Sequence, residues 1–279
     1  MAVLNLPKPL VNLIKKNRNL YAFARGTRFK LGSILGSRNV QGIRGPVHYN
    51  DFMLNSQDEE GIADYLQGGR NVSGYIEEQL KAAGRDWKDV EAAFDIGCGY
   101  GRISRVVVEK MTNGQLHACD VIDDAVNFVC GSFDAKKEAV HGDPAFPSTS
   151  KFDLAWLYSV FTHLPNEKIG EMIRDISKCL KPNGLLIFTT QGYPSAEHAM
   201  QGYAEPWPKR QQQVLSAMKD VGYYYERYPY YKEEIGMTWH TDENIKALVK
   251  KYAQELKLQD FRSPGVPGGH QDYYTFIKQ

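Results

Sequence analysis

The stretch Phe94-Asp95-Ile96-Gly97-Cys98-Gly99-Tyr100-Gly101-Arg102 decides how this 279-residue chain is interpreted. It follows a short apolar run and leads into a second apolar segment at 103–110, an order that predicts a strand, a glycine loop and a helix. Three glycines at alternate positions let the backbone turn tightly and approach a ligand, with a helix N-terminus behind them. The spacing is GxGxG rather than the GxGxxG of pyrophosphate-binding loops. Because Asp95 would repel a diphosphate and attract an ammonium group, the loop favours a cationic amino-acid ligand.

Strand and helix signals alternate on both sides of this loop. We predict seven strands, at residues 90–96, 115–121, 138–141, 152–159, 185–190, 256–262 and 272–277. Helices are expected at 58–65, 71–83, 124–132, 166–180 and 241–253, the last capped by Thr241 or Asp242. In the turn at 181–184, Pro182 is expected to stop a helix and Gly184 to take a positive φ. The pattern predicts an α/β fold with a doubly wound, seven-stranded, mostly parallel sheet whose last strand is antiparallel.

Two segments lie outside this alternation. Residues 1–57 are predicted to form a basic N-terminal arm or lid, since the first 50 residues hold nine Lys or Arg and no Asp or Glu, whereas the whole chain has a net charge of +1. A short helix near 9–20 could cover the active site or rest on an anionic membrane surface, and Gly26, Gly32 and Gly36 are expected to interrupt any continuation. The remainder, 58–279, is predicted to be one domain, with an aromatic-rich insertion at 191–240 between strands five and six.

Acidic residues follow strands two and three. Asp120 lies 19 residues beyond Gly101 and can accept hydrogen bonds from both hydroxyls of a ribose. Asp143, followed by Pro144, can accept a hydrogen bond from an adenine amino group. The alternative interpretations are a helix cap at Asp120 and a plain Asp-Pro turn at Asp143.

Strand four leads into the polar turn of the run 158–165, at the edge of the sheet where ligands bind in such folds. Tyr158 and Ser159 would flank the ligand. His163 could accept a proton as a general base, orient a substrate, or only cap the next helix. His240 and His270 are secondary acid–base candidates.

Together these motifs resemble class I S-adenosylmethionine (SAM) methyltransferases over roughly residues 65–190. The resemblance implies that the glycine loop contacts the methionine part of SAM, that Asp120 holds the ribose and that Asp143 meets the adenine, with S-adenosylhomocysteine as product. Arg70 and Arg102 are candidates for the methionine carboxylate. The residues expected to bind the cofactor are Arg70, Asp95, Gly97, Cys98, Gly99, Gly101, Arg102, Asp120, Val121, Asp143, Pro144, Tyr158 and Ser159.

The runs 159–165 and 269–274 are similar to bacterial methyltransferases of glycan and other secondary biosynthesis, and His163 occupies a position that resembles amino-sugar N-methyltransferases. This resemblance implies methyl transfer to a hydroxyl of a sugar, a glycan or another small polar metabolite, with 191–240 as an acceptor-side cap. An N-methyltransferase of a small molecule or protein stays open, as does a SAM-binding protein without catalysis.

Other functions are less consistent with the sequence. The four cysteines form no CxxC pair and are expected to be free thiols, and no residues have metal-ligand spacing. Neither GxSxG nor a P-loop occurs. No Asn-Pro-Pro-Tyr or Asp-Pro-Pro-Tyr follows strand four, which argues against amino methylation of nucleic-acid bases. We expect no nucleic-acid partner, because the basic tract of nine charges is short and the rest of the chain is acidic. The N-terminus shows no long uncharged apolar run, so we expect a cytoplasmic protein, with peripheral membrane contact through the basic arm left open.

Overall fold

The computed structural model describes residues 18–140, 151–202, 211–228, 234–266 and 269–279. The helices are α1 (Arg18–Leu35), α2 (Glu59–Ala82), α3 (Ser104–Lys110), α4 (Asp123–Phe133), α5 (Asn166–Cys179), α6 (Tyr193–Gly202), α7 (Gln211–Val221) and α8 (Asp242–Tyr252). The strands are β1 (Ser37–Arg38), β2 (Val47–His48), β3 (Ala92–Ile96), β4 (Gln115–Cys119), β5 (Lys136–Lys137), β6 (Phe152–Leu157), β7 (Leu180–Gln191), β8 (Tyr223–Arg227), β9 (Gly236–His240), β10 (Leu256–Arg262) and β11 (Gln271–Lys278). Short 3₁₀ helices span Trp87–Asp89 and Phe161–His163.

The centre of the fold is a seven-stranded sheet in the order β10-β11-β7-β6-β3-β4-β5. The five strands from β7 to β5 pair in parallel, and β11 pairs antiparallel with both β7 and β10. The strand order reverses between β3 and β6, which opens a crevice at the carboxyl edge of the sheet. This architecture confirms the predicted doubly wound α/β fold with an antiparallel last strand.

Apolar layers cover both faces of the sheet because successive strand residues point to opposite sides. In β3, Phe94 packs with the layer under α5 and α8, whereas Ala93 packs with the layer under α2, α3 and α4. The two layers include the fully buried side chains of Phe152 and Trp156 on β6. Burying a side chain of this kind contributes about 1.5–3 kcal/mol, so the sheet is a rigid support for the loops at its carboxyl edge.

Helix α2 is one continuous helix where the sequence predicted two, at 58–65 and 71–83. It begins at the predicted acid, since the Asp58 side chain accepts a hydrogen bond from the Gly61 amide at 2.8 Å. Gly68 and Gly69 do not break it. A Cβ on Gly69 would lie 2.6 Å from the Arg102 carbonyl oxygen, so glycine is required there for the close approach. The glycines therefore serve close packing of α2 against the loop that leads into α3.

Helix α1 likewise continues through two glycines that were expected to interrupt it, Gly26 and Gly32, so that prediction is wrong. At Gly32, an added Cβ would lie 1.9 Å from Asn50 Oδ1, which shows that the missing side chain makes room for Asn50. The helix does end before Gly36, whose φ is +67°. The predicted helical stretch at 9–17 lies outside the described residues.

Two smaller differences concern the predicted turn at 181–184 and the third strand. Residues 181–184 lie within β7, where Asn183 and not Gly184 takes the positive φ, at +62°. Gly184 is needed for another reason, because a Cβ there would lie 2.8 Å from the Lys181 carbonyl oxygen. The third parallel strand is β5 at 136–137 rather than 138–141, although the Glu138 amide still donates to the Ala118 carbonyl at 2.9 Å.

The segment between β7 and α8 contains α6, α7 and the antiparallel hairpin β8–β9. Its helices and hairpin enclose a small apolar cluster of their own, which includes Val214, Met218, Tyr228, Met237 and Trp239. The domain limits 1–57, 58–279 and 191–240 remain predictions. Throughout the described ranges, no helix combines the length and the apolar character that crossing a membrane requires.

Candidate active site

The glycine loop takes a backbone path that favours glycine at three positions. Gly97, Gly99 and Gly101 have φ values of +75°, +50° and +78°. The amides of Gly97 and Cys98 donate to the Cys119 carbonyl oxygen at 2.8 and 3.1 Å, which holds the loop on the end of β4. A Cβ on Gly99 would meet no atom within 4 Å, so this part of the loop borders open space.

Gly97→Ala is expected to destabilise the protein by about 1–3 kcal/mol, because a residue with a Cβ is strained in the left-handed backbone conformation of Gly97. The new Cβ would also lie 2.3 Å from Val160 Cγ2. Urea unfolding measures the change. Gly74→Ala is the matched control, since a Cβ on Gly74 meets nothing within 4 Å and Ala is favoured in a helix by about 0.5–1 kcal/mol. Equal unfolding midpoints for the wild type and Gly97→Ala would contradict the prediction that an alanine is strained at position 97.

Asp120 joins the glycine loop to the turn after β4. Its Oδ2 accepts from the Gly99 amide at 2.8 Å and its Oδ1 accepts from the Ile122 amide at 2.9 Å. Burial raises the pKa of the Asp120 carboxyl, while these backbone donors act in the opposite direction. Each carboxylate oxygen keeps acceptor capacity beyond the one amide that it binds, so Asp120 can still receive a pair of hydroxyl donors.

A cavity of about 270 Å³ opens beside Asp120, at the carboxyl ends of β3, β4 and β6. Six residues predicted from the sequence line it, namely Gly97, Asp120, Val121, Tyr158, Ser159 and His163. Its apolar wall was not predicted and is formed by Ile96, Val140, Val160, Leu164, Met172 and Ile235. One carboxylate with spare acceptors, an open glycine backbone and an apolar wall fit the ribose and adenine of a nucleoside.

Ser159 is held in an unusual backbone conformation at the rim of this cavity, with φ at +61°. Its amide donates to Thr189 Oγ1 at 2.9 Å, and its hydroxyl oxygen accepts a hydrogen bond from Gln271 Nε2. The Thr189 hydroxyl in turn donates to Gln271 Oε1 at 2.6 Å. Sequence reasoning missed both supports because β7 and β11 bring them together only in the folded sheet.

His163 lies at the end of the Phe161–His163 helix and lines the same cavity. Its Nδ1 is 2.9 Å from the Gly236 carbonyl oxygen, which can only accept, so Nδ1 carries the proton and the neutral ring keeps its lone pair on Nε2. The Tyr228 hydroxyl lies 3.0 Å from the same Nδ1. Burial lowers the pKa of His163, which favours the neutral form.

Other predicted cofactor residues lie behind or beside the loop. Asp95 is 2% exposed, accepts from the Ser104 hydroxyl at 2.6 Å and does not line the cavity, and burial raises its pKa to about 7. Arg102 lies over the Tyr158 ring at 5.5 Å, and Arg70 is exposed on α2. In the described ranges, no carboxylate lies within ion-pair distance of Arg102.

The remaining predicted residues divide into packed and exposed ones. Cys98 is buried in the apolar layer, and a Cβ on Gly101 would lie 2.5 Å from the Phe133 ring, so both face the core. His270 is exposed outside the cavity. Asp143 and Pro144 lie outside the described residues, and their adenine role stays a prediction.

His240 is fully buried in the hairpin and does not reach the cavity. Asn244 Nδ2 donates to its Nδ1 at 2.9 Å, so the neutral ring carries its proton on Nε2, 3.1 Å from Thr238 Oγ1. Both ring nitrogens are thus engaged within the protein. The structure therefore gives His240 a role in joining β9 to α8.

His240 is expected to make the stability of the protein depend on pH. Burial lowers the pKa of His240 to about 3. As the pH falls from 6.5 towards 3, this histidine is therefore protonated in the unfolded chain but stays neutral in the folded one. This one group therefore reduces the free energy of unfolding by up to about 1.4 kcal/mol per pH unit in that window. Asp95 and Asp272 act with the opposite sign, since burial raises their pKa values to about 7 and about 6.

Comparison of the wild type with His240→Asn separates the contribution of His240 to the free energy of unfolding from those of Asp95 and Asp272, which are present in both proteins. We expect the variant to lose less stability than the wild type between pH 6.5 and 4, and to show a constant difference from it above pH 7.5. Urea unfolding across the pH series measures both. Parallel curves throughout the acid range would mean that His240 is not buried in its neutral form.

A second cavity of about 500 Å³ borders the glycine loop. Gly99 and Tyr100 line it together with Arg25 and Phe29 of α1. Helix α1 thus lies beside the loop, and a lid function of the N-terminal arm stays a prediction. Within the part of the chain that the structure describes, no three His, Cys, Asp or Glu side chains are grouped to hold a metal ion.

Known proteins resemble this chain in sequence and in fold. Residues 94–186 match the family model described as a methyltransferase domain. The chain is 24% identical over 124 residues to malonyl-[acyl-carrier protein] O-methyltransferase 2 of Ilyobacter polytropus, a match that covers 43% of this chain and 47% of that protein. The chain therefore spans about half the length of this curated relative.

Two solved structures show the same fold. A SAM-dependent methyltransferase from Clostridium acetobutylicum superposes with a TM-score of 0.54 at 15% identity, over 78% of this chain and 97% of that one. The magnesium protoporphyrin IX methyltransferase of Synechocystis with bound SAM superposes with a TM-score of 0.51 at 11% identity, over 82% and 89%.

Residues 94–186 thus match a methyltransferase domain, and the fold is that of the class I SAM-dependent methyltransferases. Both matches agree with the SAM site that the glycine loop predicts. Gly97, Asp120, Val121, Tyr158 and Ser159 line the cavity, and their contacts with SAM stay a prediction.

Proposed function

We propose that the protein transfers a methyl group from SAM to a hydroxyl of a sugar, a glycan or another small polar metabolite, with His163 as general base. The observation that carries this proposal is the hydrogen bond between His163 Nδ1 and the Gly236 carbonyl oxygen, which determines the nitrogen that bears the ring proton. The Gly236 carbonyl fixes the proton on Nδ1, and the lone pair on Nε2 belongs to a residue that shares a cavity with Asp120. Bound SAM supplies an electrophilic sulfonium methyl group.

The protein residues then contribute positioning and proton transfer. As the acceptor oxygen forms its bond to the methyl carbon and the carbon–sulfur bond breaks, His163 Nε2 takes the hydroxyl proton, so that charge balances at both ends. The Asp120 carboxylate orients the nucleoside, and Ser159, held by Gln271 and the Thr189 hydroxyl, shapes the rim. Holding both reactants in line supplies a large share of such a rate.

A second candidate is methylation of a carboxylate carried by an acyl carrier protein. The observation that favours it is the match to the Ilyobacter polytropus protein named for that activity. A carboxylate is already ionised at neutral pH, so this reaction needs no general base. Methylation of an amino group is the third outcome that an experiment has to distinguish.

The test is to incubate the pure protein with SAM labelled in its methyl group and a fractionated cell extract. The proposal predicts label in a sugar-containing or small-metabolite fraction, in an alkali-stable linkage typical of a methyl ether. Label released by mild alkali would indicate a methyl ester and favour the carrier-bound carboxylate. Label in protein as methylated amine would replace the proposed acceptor, and a SAM-binding protein that labels no fraction would contradict catalysis.

A further inference from the structure

Helix α1 is fixed to the rest of the protein along one side. Asn50 Nδ2 donates to the Phe29 carbonyl at 2.9 Å, and the Asn50 side chain fills the space left by the missing Cβ of Gly32. On the same side, the Ser33 hydroxyl donates to Asp124 Oδ2 at 2.9 Å. These polar contacts set which face of α1 points to the protein and which points outward.

The outward face carries large apolar side chains. Phe23 is 72% exposed, Leu31 39% and Ile34 82%. At 3.6 residues per turn these three positions fall within an arc of about 80°, opposite Phe29. We call them the α1 stripe. An ordered apolar stripe on the surface of a helix marks an interaction surface, because solvent-facing helix positions are usually polar.

Positive charge accompanies this stripe. Arg28 and Lys30 lie on either side of it on the helical wheel, and α1 contains Arg18 and Arg25 as well but no acidic residue. The sequence adds to this field, since the first 50 residues hold nine Lys or Arg and no Asp or Glu. An apolar stripe bordered by cations is complementary to an anionic lipid surface, which offers negative headgroups above an apolar interior.

We propose that α1 docks on an anionic membrane surface, with the α1 stripe inserted at the boundary between headgroups and acyl chains and with Arg28 and Lys30 against lipid phosphates. Helix α1 would lie in the plane of the interface. The cavity beside Gly99, which Arg25 and Phe29 help to line, then lies on the side of α1 that faces away from the bilayer. This proposal stands independently of the methyl acceptor.

The test is co-sedimentation of the full chain with vesicles. We expect pelleting with vesicles that contain phosphatidylglycerol, and little with phosphatidylcholine alone. The double variant Phe23→Ser/Ile34→Ser is expected to bind anionic vesicles at least tenfold more weakly, and Arg28→Gln/Lys30→Gln to bind more weakly and with a smaller salt dependence. Val221→Ser is the matched control, because Val221 is an apolar side chain, 64% exposed, on α7. SAM affinity, measured for each variant, checks the fold.

Three results would overturn the proposal. The first is equal pelleting of the wild type and Phe23→Ser/Ile34→Ser. This result includes the case in which deletion of residues 1–17 abolishes pelleting while Phe23→Ser/Ile34→Ser does not. The second is equal binding to neutral and anionic vesicles, which would remove the role of charge. The third is a concentration-dependent dimer in sedimentation velocity that Ile34→Ser dissociates, which would assign the α1 stripe to a second copy of the chain.

Discussion

Asp120→Ala is expected to weaken SAM binding by about 10²-fold or more. The change removes the acceptors that we assign to the two ribose hydroxyls, and it also releases the amides of Gly99 and Ile122, which bind the carboxylate at 2.8 and 2.9 Å. Hydrogen bonds to a charged group contribute about 1.5–3 kcal/mol each, and about 1.4 kcal/mol corresponds to a tenfold change in affinity. Isothermal titration with SAM measures the loss.

The matched control is Asp123→Ala, three residues along the chain. The Asp123 side chain is 85% exposed, pairs with Lys137 and does not line the cavity. We expect it to bind SAM as the wild type does. A folded Asp120→Ala protein that kept wild-type affinity would show that Asp120 only caps the loop and the turn that follows it.

His163→Ala is expected to lower turnover by about 10²-fold or more, with the acceptor that the labelling experiment identifies, while SAM affinity is nearly kept. Turnover and SAM affinity are expected to respond differently because we assign different roles to the two residues. His163 acts on the proton of the acceptor, whereas Asp120 holds the nucleoside of SAM. In the wild type, burial lowers the pKa of His163, so the acid limb of the rate profile should lie below pH 6.5. Single-turnover rates across a pH series measure both effects.

Tyr228→Phe provides the control for this variant. It keeps the aromatic ring but removes the hydroxyl 3.0 Å from Nδ1, while the Gly236 carbonyl still fixes the tautomer. We expect only a modest change in rate and the same acid limb. A His163→Ala enzyme with near-normal rates at every pH would make His163 a packing residue and would favour an acceptor that is already ionised.

The parts of the site that could be predicted from sequence are those built by one contiguous stretch. The glycine loop, Asp120 and the 158–163 turn each follow a strand directly, and parallel strands bring their carboxyl ends to one edge. The five cavity residues that we assign to the cofactor come from this rule. Thr241 as the cap of α8 was also confirmed, since its side chain accepts from the Asn244 amide.

The parts that could not be predicted depend on contacts between distant segments. The Gly236 carbonyl reaches His163 across 73 residues, and Gln271 reaches Ser159 across 112. Neither has a local sequence signal, because a backbone carbonyl has no residue identity and a lone glutamine is common at surfaces. The prediction that Gly32 interrupts a helix was wrong for the same reason. Glycine is required there because the Asn50 side chain, 18 residues along the chain, packs against the helix at this position.

The measurement that tests the central claim most directly is calorimetric titration of the pure protein with SAM, S-adenosylhomocysteine and NAD. A class I methyltransferase loop with Asp120 at the ribose predicts saturable binding of both SAM and its demethylated product, and no detectable binding of NAD. Saturable binding of NAD without binding of SAM would contradict the assignment of the glycine loop and of every role derived from it.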